Sequence, residues 1–481
     1  METPAVHVLV FPSPLQGHIN CMLHFATGLV AAGVHVTFLH TDHNLRRIDS
    51  TAATSPRLRF LSMPDGLPDD HPRSAVELMV SLRTNGRAAY GALLASLCAR
   101  DVAGHDADAT GGFPPVTCVV ADSLLPFAID IAEEIGVPAI AFRTASASSL
   151  LTLLSVPKLL ELGELPFPED GDLDEPVRGV PGMESFLRRR DLPIQCRNYT
   201  KTHQDPVIEA IAAHAAHSRK ARALVLNTAM SLESPALAVI ARQMRDVFAI
   251  GPLHAMCSAP AAASSLWRED DGCAAWLDGQ ADRSVVYLSL GSQAMITLDQ
   301  LTELLSGLVA AGYPFLWVLR PDMLEATQEG AIKDAVRVVG DSKARLVPWA
   351  PQRDVLRHRA VGCFLTHSGW NSTLEATVEG VPMVCWPFNF DQQVNSRFVG
   401  AVWKTGLDMK DVCDRAVVER MVRETMESSE IRESAQALAQ KVRQNIAEGG
   451  SSLTEFQRLV KFIRELSAPD SGSHIKTQEE E

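Results

Sequence analysis

The sequence predicts an α/β protein built of two doubly wound parallel-sheet domains that face a cleft. Three observations carry that prediction. Short apolar runs rich in β-branched residues alternate with longer helical patterns, the alternation lapses once after Gly251 and then restarts, and 481 residues exceed what one hydrophobic core organises.

Taken in order, "HVLVF", "VHVTFLH", "LRFLSM", "VTCVVAD", "PAIAF", "ALVLNT" and "VFAIG" read as the strands of a first domain, residues 1–252. The following "PLHAMCSAPAAASSLWREDDG" has small residues and turn formers without periodicity, and reads as a linker over 253–272. A second series, "VVYLSLG", "PFLWVLR", "ARLVPW", "VGCFLTH" and "PMVCWP", belongs to a domain over 273–452. In "SLTEFQRLVKFIREL", Leu453, Phe456, Leu459, Val460 and Ile463 recur at helical spacing. Residues 453–467 are therefore a last helix, expected to pack back on the first domain, and 468–481 a polar, disordered tail.

Composition narrows the function. The chain is 46% hydrophobic and 21% charged, ordinary for a globular protein, and its net charge of −14 argues against nucleic acid or an anionic membrane as partner. The N-terminus carries Glu2 where a signal peptide needs basic residues, and no apolar run is long enough to span a bilayer. Nine cysteines without CxxC spacing fit reduced thiols, with Cys363 and Cys385 in core strands, so a cytoplasmic protein is expected, and a monomer.

In open α/β sheets, ligands bind where strand ends turn into helices. "VGCFLTH" reads as a strand ending at His367, "SG" as a turn in which Gly369 tolerates a positive φ, and "WNSTLEATVEG" as a helix starting near Asn371. A helix N-terminus beside Asn371 and Ser372 suits a pyrophosphate, and His367 can add a donor or a positive charge. Glu375, one turn on, can accept from both hydroxyls of a ribose. Trp349 offers a flat face to a base whose edge Gln352 can read. Beyond the diphosphate come Trp370 and, in "PFNFDQQ", Asp391 and Gln392, a carboxylate and an amide suited to sugar hydroxyls. Each residue also has a plainer reading: Asn371 and Ser372 as helix caps, the tryptophans as core, Asp391 as the start of the next helix. Singly those readings are favoured. Jointly they are not, because a nucleotide-sugar site needs these types in this order.

In the first domain, "HVLVFPSPLQGHIN" puts His18 at a strand's carboxyl edge, and "VTCVVADSLLPF" ends a strand at Asp122. An imidazole can take a proton from a hydroxyl near neutrality, and a carboxylate on its other nitrogen fixes the tautomer. A loop histidine and a helix N-cap are the alternatives, and the residues alone leave both open.

The span from Trp349 to Gln392 closely resembles the signature box of plant family-1 UDP-dependent glycosyltransferases. The resemblance extends over nearly the whole chain through "GHIN", "CAAWLDGQ" and "VVYLSLGS". It implies the GT-B architecture, two Rossmann-like domains with the donor held mainly by the second. It further implies uracil stacking by Trp349 beside Ala350, base and ribose contacts by Gln352 and Glu375, diphosphate contacts by Ser292, His367, Asn371 and Ser372, and sugar contacts by Trp370, Asp391 and Gln392. His18 would be the general base and Asp122 its partner. The partners are then a UDP-sugar, UDP-glucose for a box ending in glutamine, and a small lipophilic acceptor such as a flavonoid, phenolic or terpenoid. No cofactor and no metal are expected. Cys21, where proline often follows "GHIN", and Leu290, where phenylalanine often precedes "GS", depart from the family pattern without touching an expected catalytic group.

Two other readings share the fold: a catalytically silent nucleotide-sugar binder, against which His18 and Asp122 argue, and a different enzyme such as an epimerase or phosphorylase. The acidic "EDGDLDE", Glu169–Glu175, lacks the strand and spacing of a metal site and reads as a solvated loop, and "FLRRRDLP" around Arg188 as surface or the flank of a hydrophobic lid rather than an anion site. Acceptor walls are expected around 80–90, 123–127, 143–150 and 184–205.

Overall fold

The first seven strands are β1 (His7–Phe11), β2 (His35–Thr41), β3 (Leu58–Met63), β4 (Cys118–Asp122), β5 (Ala139–Arg143), β6 (Leu224–Leu226) and β7 (Val247–Ala249). They form one parallel sheet in the order β3-β2-β1-β4-β5-β6-β7. The remaining six are β8 (Val285–Ser289), β9 (Phe315–Val318), β10 (Ala344–Val347), β11 (Val361–Thr366), β12 (Met383–Cys385) and β13 (Gly406–Asp408). They form a second parallel sheet, β10-β9-β8-β11-β12-β13. This computed structural model describes residues 5–48, 55–99, 112–168, 171–199, 207–259, 265–323, 340 and 342–468. The expected tail beyond Ala468, linker positions 260–264, Glu169, Asp170 and the acceptor stretch 200–205 lie outside the described residues.

The strands are continuous apolar runs because helices cover both faces of each sheet. β1, β4, β5 and β8 are buried at every residue. One face of the first sheet buries Leu9, Phe11, Tyr90, Phe127 and Leu150; the other buries Val8, Val10, Phe25, Phe38 and Phe142. The last helix, Ser451–Leu466, sets Phe456, Leu459, Val460 and Ile463 into that second face. A Cβ on Gly28 would stand 2.8 Å from the Phe456 ring, so glycine there permits the close approach. Ser452 Oγ donates to Gly251 O at 2.6 Å and Arg464 Nη2 to Ala32 O at 2.7 Å, tying the helix to the first domain. All nine cysteines are unpaired, and Cys363 and Cys385 are buried.

Both sheets reverse strand order once, between β1 and β4 and between β8 and β11. At such a switch point the loops after adjacent strands diverge and leave a crevice. Two crevices, one per domain, therefore open toward each other.

A buried ionic cluster joins the domains away from the crevices. Asp191 is fully buried and receives Lys410 Nζ at 2.8 Å and Arg397 Nε at 3.3 Å from the second domain, with Arg188 from its own loop. Burial alone would raise the Asp191 carboxyl, but Lys410 and Arg188 outweigh it and hold its pKa below the usual range. The neighbouring basic run, expected at the surface, is partly buried, whereas Asp172, Asp174 and Glu175 of the acidic loop are exposed as expected. An antiparallel bridge between Pro176 and Arg188 lays them side by side, pairing Asp174 with Arg188 and Arg190, and Glu175 with Arg189. Arg197 then reaches Asp411 at 2.7 Å.

Candidate active site

The catalytic candidates meet at the first switch point. Asp122 is the last residue of β4, and His18 lies in the first turns of the helix Gln16–Ala31 that follows β1, the strand paired with β4. His18 Nδ1 is 2.5 Å from Asp122 Oδ2. Asp122 also accepts from the amides of Ser13 at 3.2 Å and Leu124 at 2.9 Å, which fixes its plane. Burial pushes this carboxyl's pKa up, but the charge and hydrogen bond of His18 and the two amides hold it below the ordinary value. Thr144 Oγ1, 2.9 Å from the same Nδ1, is a neighbour that sequence reading missed. With Nδ1 occupied, Nε2 is the nitrogen left for a substrate.

The second switch point forms the candidate anion site. Helix Trp370–Glu379 begins right after β11, and no side chain caps it, so its first amides are available. Asn371 and Ser372 are thus not caps. Asn371 Nδ2 donates to Gly17 O at 2.6 Å, beside His18, and Ser372 Oγ accepts from Gln352 at 2.9 Å. The turn differs from the expectation: Ser368 takes the left-handed conformation, φ 63°, while Gly369 has φ −59°. Gly369 is required by space instead, since a Cβ there would lie 2.4 Å from His367 Nε2. A Cβ on Gly291, φ 73°, would collide with the same imidazole at 2.5 Å. His367 is therefore clamped between two glycines. Burial, with Arg320 nearby, lowers its pKa to about 4, which favours the neutral imidazole as a hydrogen-bond donor. Arg320, also missed from sequence, donates to the carbonyls of Gly291 and Ala294 and shapes the loop that carries Ser292.

Between the two crevices lies a cavity of about 450 Å³. Its walls include His18, Ser292, Trp349, Ala350, Gln352, His367, Trp370, Asn371, Ser372, Glu375 and Asp391, so most of the predicted residues share one space. Asp122 stands behind His18. Gln392 is not on the wall: its Oε1 accepts from the amides of Phe388 and Asn389 at 2.8 and 3.0 Å, closing the loop that precedes it. The indole N–H of Trp370 is committed to Asn227 O of the first domain at 2.7 Å, and its ring, 4% exposed, packs in an apolar cluster with Leu232, Leu374 and Trp403, the core position that was the plainer reading. Asp391 accepts from Asn395 at 2.8 Å, and burial raises its carboxyl's pKa. Of the expected acceptor walls, Thr144 and Ala145 reach the cavity. Leu82, Tyr90, Leu125, Phe127 and Leu187 lie in the apolar core behind it.

At the far end Trp349 stacks on Trp267, ring centroids 5.9 Å apart. Trp267 comes from the linker, where a lone tryptophan among small residues was the only signal. Gln352 Nε2 donates to Glu375 Oε2 at 2.7 Å, and Tyr287 Oη to Gln352 Oε1 at 3.3 Å. Burial raises the Glu375 pKa to about 7, Gln352 and Arg353 opposing it. A carboxylate accepting both ribose hydroxyls must be ionised. UDP-glucose affinity is therefore expected to fall as pH drops below about 7, approaching tenfold per unit. Titration calorimetry from pH 5.5 to 8.5 checks this; the slope should vanish in Glu375→Gln, and a flat wild-type profile contradicts it.

Among the described residues, no group of three or more His, Cys, Asp or Glu is arranged to hold a metal ion, and no helix is long and apolar enough to cross a membrane. Two facing parallel-sheet domains with an uncapped helix end opposite a His–Asp pair define a nucleotide-sugar-dependent transferase of GT-B type. The chain belongs to the family described as UDP-glucoronosyl and UDP-glucosyl transferase, which it matches over residues 7–440.

Among its relatives, it is 44% identical to a myricetin 3-O-rhamnoside 1,2-glucosyltransferase of Crocosmia x crocosmiiflora, over 97% of each chain. It is 41% identical to a 7-deoxyloganetic acid glucosyltransferase of Catharanthus roseus, over 96% of this chain and 98% of the relative. Among solved structures, Os79 of O. sativa in complex with UDP superposes with a TM-score of 0.76 at 28% identity, covering 95% of this chain and 100% of that one.

Proposed function

We propose that this enzyme moves glucose from UDP-glucose to a hydroxyl or carboxyl of a small lipophilic plant metabolite, with inversion, giving a β-glucoside. The observation that carries the reading is the 2.5 Å contact of His18 with Asp122 on the wall opposite the uncapped helix of Trp370. Nε2 of His18 takes the proton of a hydroxyl acceptor as its oxygen attacks the anomeric carbon, whereas a carboxyl acceptor attacks as the carboxylate already present at neutral pH. UDP leaves from the opposite face with the bonding electrons. Asp122, kept ionised, stabilises the imidazolium. Charge developing on UDP is met by the free amides of Asn371 and Ser372 and by neutral His367 donating a hydrogen bond, so the chemistry needs no metal. Trp349 stacks the uracil, Gln352 and Glu375 take the ribose, Ser292 a phosphate oxygen, and Asp391 sugar hydroxyls. The glucosyltransferase names of the relatives from Crocosmia and Catharanthus support glucose as the transferred sugar and small metabolites as acceptors.

The test is UDP release and product mass from purified protein with UDP-glucose across a panel of hydroxylated flavonoids, phenolics and terpenoids. A β-configured glucoside, read from its anomeric proton coupling, is expected. No transfer to any member, or turnover of the donor alone, contradicts the proposal. Gln392, although off the wall, fixes the loop that presents Asp391. Gln392→His is therefore expected to reduce the preference for UDP-glucose over UDP-galactose by about tenfold, and an unchanged ratio denies it that role.

A further inference from the structure

Asn395 sits in the helix Gln392–Arg397, one turn after Asp391, and is only 1% exposed. It does not line the cavity that Asp391 lines. Its amide nevertheless reaches three parts of the site. Nδ2 donates to Asp391 Oδ2 at 2.8 Å and to Ser368 O at 2.9 Å, and Oδ1 accepts from Ser146 Oγ at 2.8 Å.

Each partner has its own place. Asp391 is on the cavity wall, Ser368 is the left-handed residue of the turn ahead of the helix Trp370–Glu379, and Ser146 of the first domain closely follows Thr144, which contacts His18. Ser146 Oγ also caps the helix Ala147–Leu154 by accepting from Ser149 N at 3.1 Å, so its proton is left to donate across the domain boundary. That bond decides how the amide faces. With Oδ1 toward the first domain, both hydrogens of Nδ2 turn to Ser368 and Asp391, and every hydrogen-bonding capacity that an asparagine brings on its short stem is used. An aspartate would set a second carboxylate against Asp391, and an alanine would leave Ser146, Ser368 and Asp391 without this partner.

We propose that Asn395 is a positioning residue for the transfer: it sets the plane in which Asp391 offers its carboxylate to the sugar, in register with the first-domain loop beside His18. The inference rests on the reading of Asp391 as a sugar contact given above. A charge-assisted hydrogen bond from a fixed donor holds a carboxylate that would otherwise rotate among several orientations. Misplacing a substrate contact by about 1 Å costs up to about 10²-fold in rate, even where binding of the nucleotide is untouched.

Steady-state kinetics of glucosyl transfer test this, with UDP binding by calorimetry as the control. Asn395→Ala is expected to lower kcat/KM for UDP-glucose by about 30-fold and to change the dissociation constant of UDP by less than about threefold. UDP carries no sugar, and the Ser368 turn keeps its own hydrogen bond from Ser368 N to Thr366 Oγ1 at 3.2 Å. Asp391→Ala should cost about 10²-fold, and in that background Asn395→Ala should add less than about threefold, because the two residues act as one unit. A merely structural residue would weaken UDP and UDP-glucose alike and add its full loss in both backgrounds. That result, or an unchanged kcat/KM in Asn395→Ala, overturns the positioning role. Should the alanine variant fail to fold, judged by thermal unfolding, Asn395→Ser enters the same cycle. Full activity in Asp391→Ala would remove Asp391 from the reaction and this role with it, whereas no transfer by the wild type to any acceptor would overturn the proposed reaction itself.

Discussion

Replacing His18 with alanine is expected to lower kcat/KM for glucosyl transfer by about 10²- to 10⁴-fold, while the dissociation constant of UDP-glucose stays within about twofold. The split follows from where the residue stands. His18 projects from the first domain, with Nδ1 held by Asp122 and Nε2 left for the proposed acceptor, whereas most of the proposed donor contacts lie on the second domain. The contact between Asn371 and the carbonyl of Gly17 is to backbone and survives the substitution. Asp122→Asn should produce a smaller loss and a changed pH profile, because an amide can hold the ring but cannot stabilise the imidazolium. Initial rates with saturating donor, together with calorimetry, check both variants. Turnover unchanged in His18→Ala removes the proposed base.

The second large effect is on stability. Lys410→Met is expected to destabilise the protein by about 3 kcal/mol, since removing one member of a buried ion pair strands the other. The Lys410 and Asp191 side chains are 4% and 0% exposed, so solvent cannot replace the lost ammonium, although Arg188 and Arg397 remain beside the carboxylate and set the estimate at the low end of the range. Lys410 Nζ also donates to Gln393 O and Ser396 Oγ in the segment after Asp391, so the loss reaches the proposed sugar end of the cleft. Scanning calorimetry should show the transition about 6–12 °C lower. An unchanged transition would mean that the remaining arginines fully satisfy Asp191.

The central strands were legible because burial on both faces turns each into an apolar run. β3 and β10, at the sheet edges and partly exposed, still kept short apolar stretches. β13 was the exception: Gly406–Asp408 is three residues at a sheet edge, between Lys404 and Lys410 with positive φ, and leaves no run to detect. Residue types near strand ends were equally legible, and the switch points explain why His18 and Asp122, far apart in sequence, share one hydrogen bond.

Three-dimensional assignments were not readable in this way. Which of Ser368 and Gly369 takes the left-handed turn depends on the His367 ring packed against both glycines, a contact no local pattern encodes. Trp267, Tyr287 and Arg320 act through partners on other elements, and the match of acidic loop to basic run depends on a single bridge at Pro176.

A crystal structure of the protein with a non-transferable UDP-glucose analogue tests the central claim most directly. The account predicts uracil stacked on the Trp349 indole, diphosphate at the amides that open the helix Trp370–Glu379, and the anomeric carbon turned toward His18 Nε2 with room for one acceptor oxygen between them. A nucleotide bound away from Trp349, or an anomeric carbon beyond the reach of that imidazole, would contradict it.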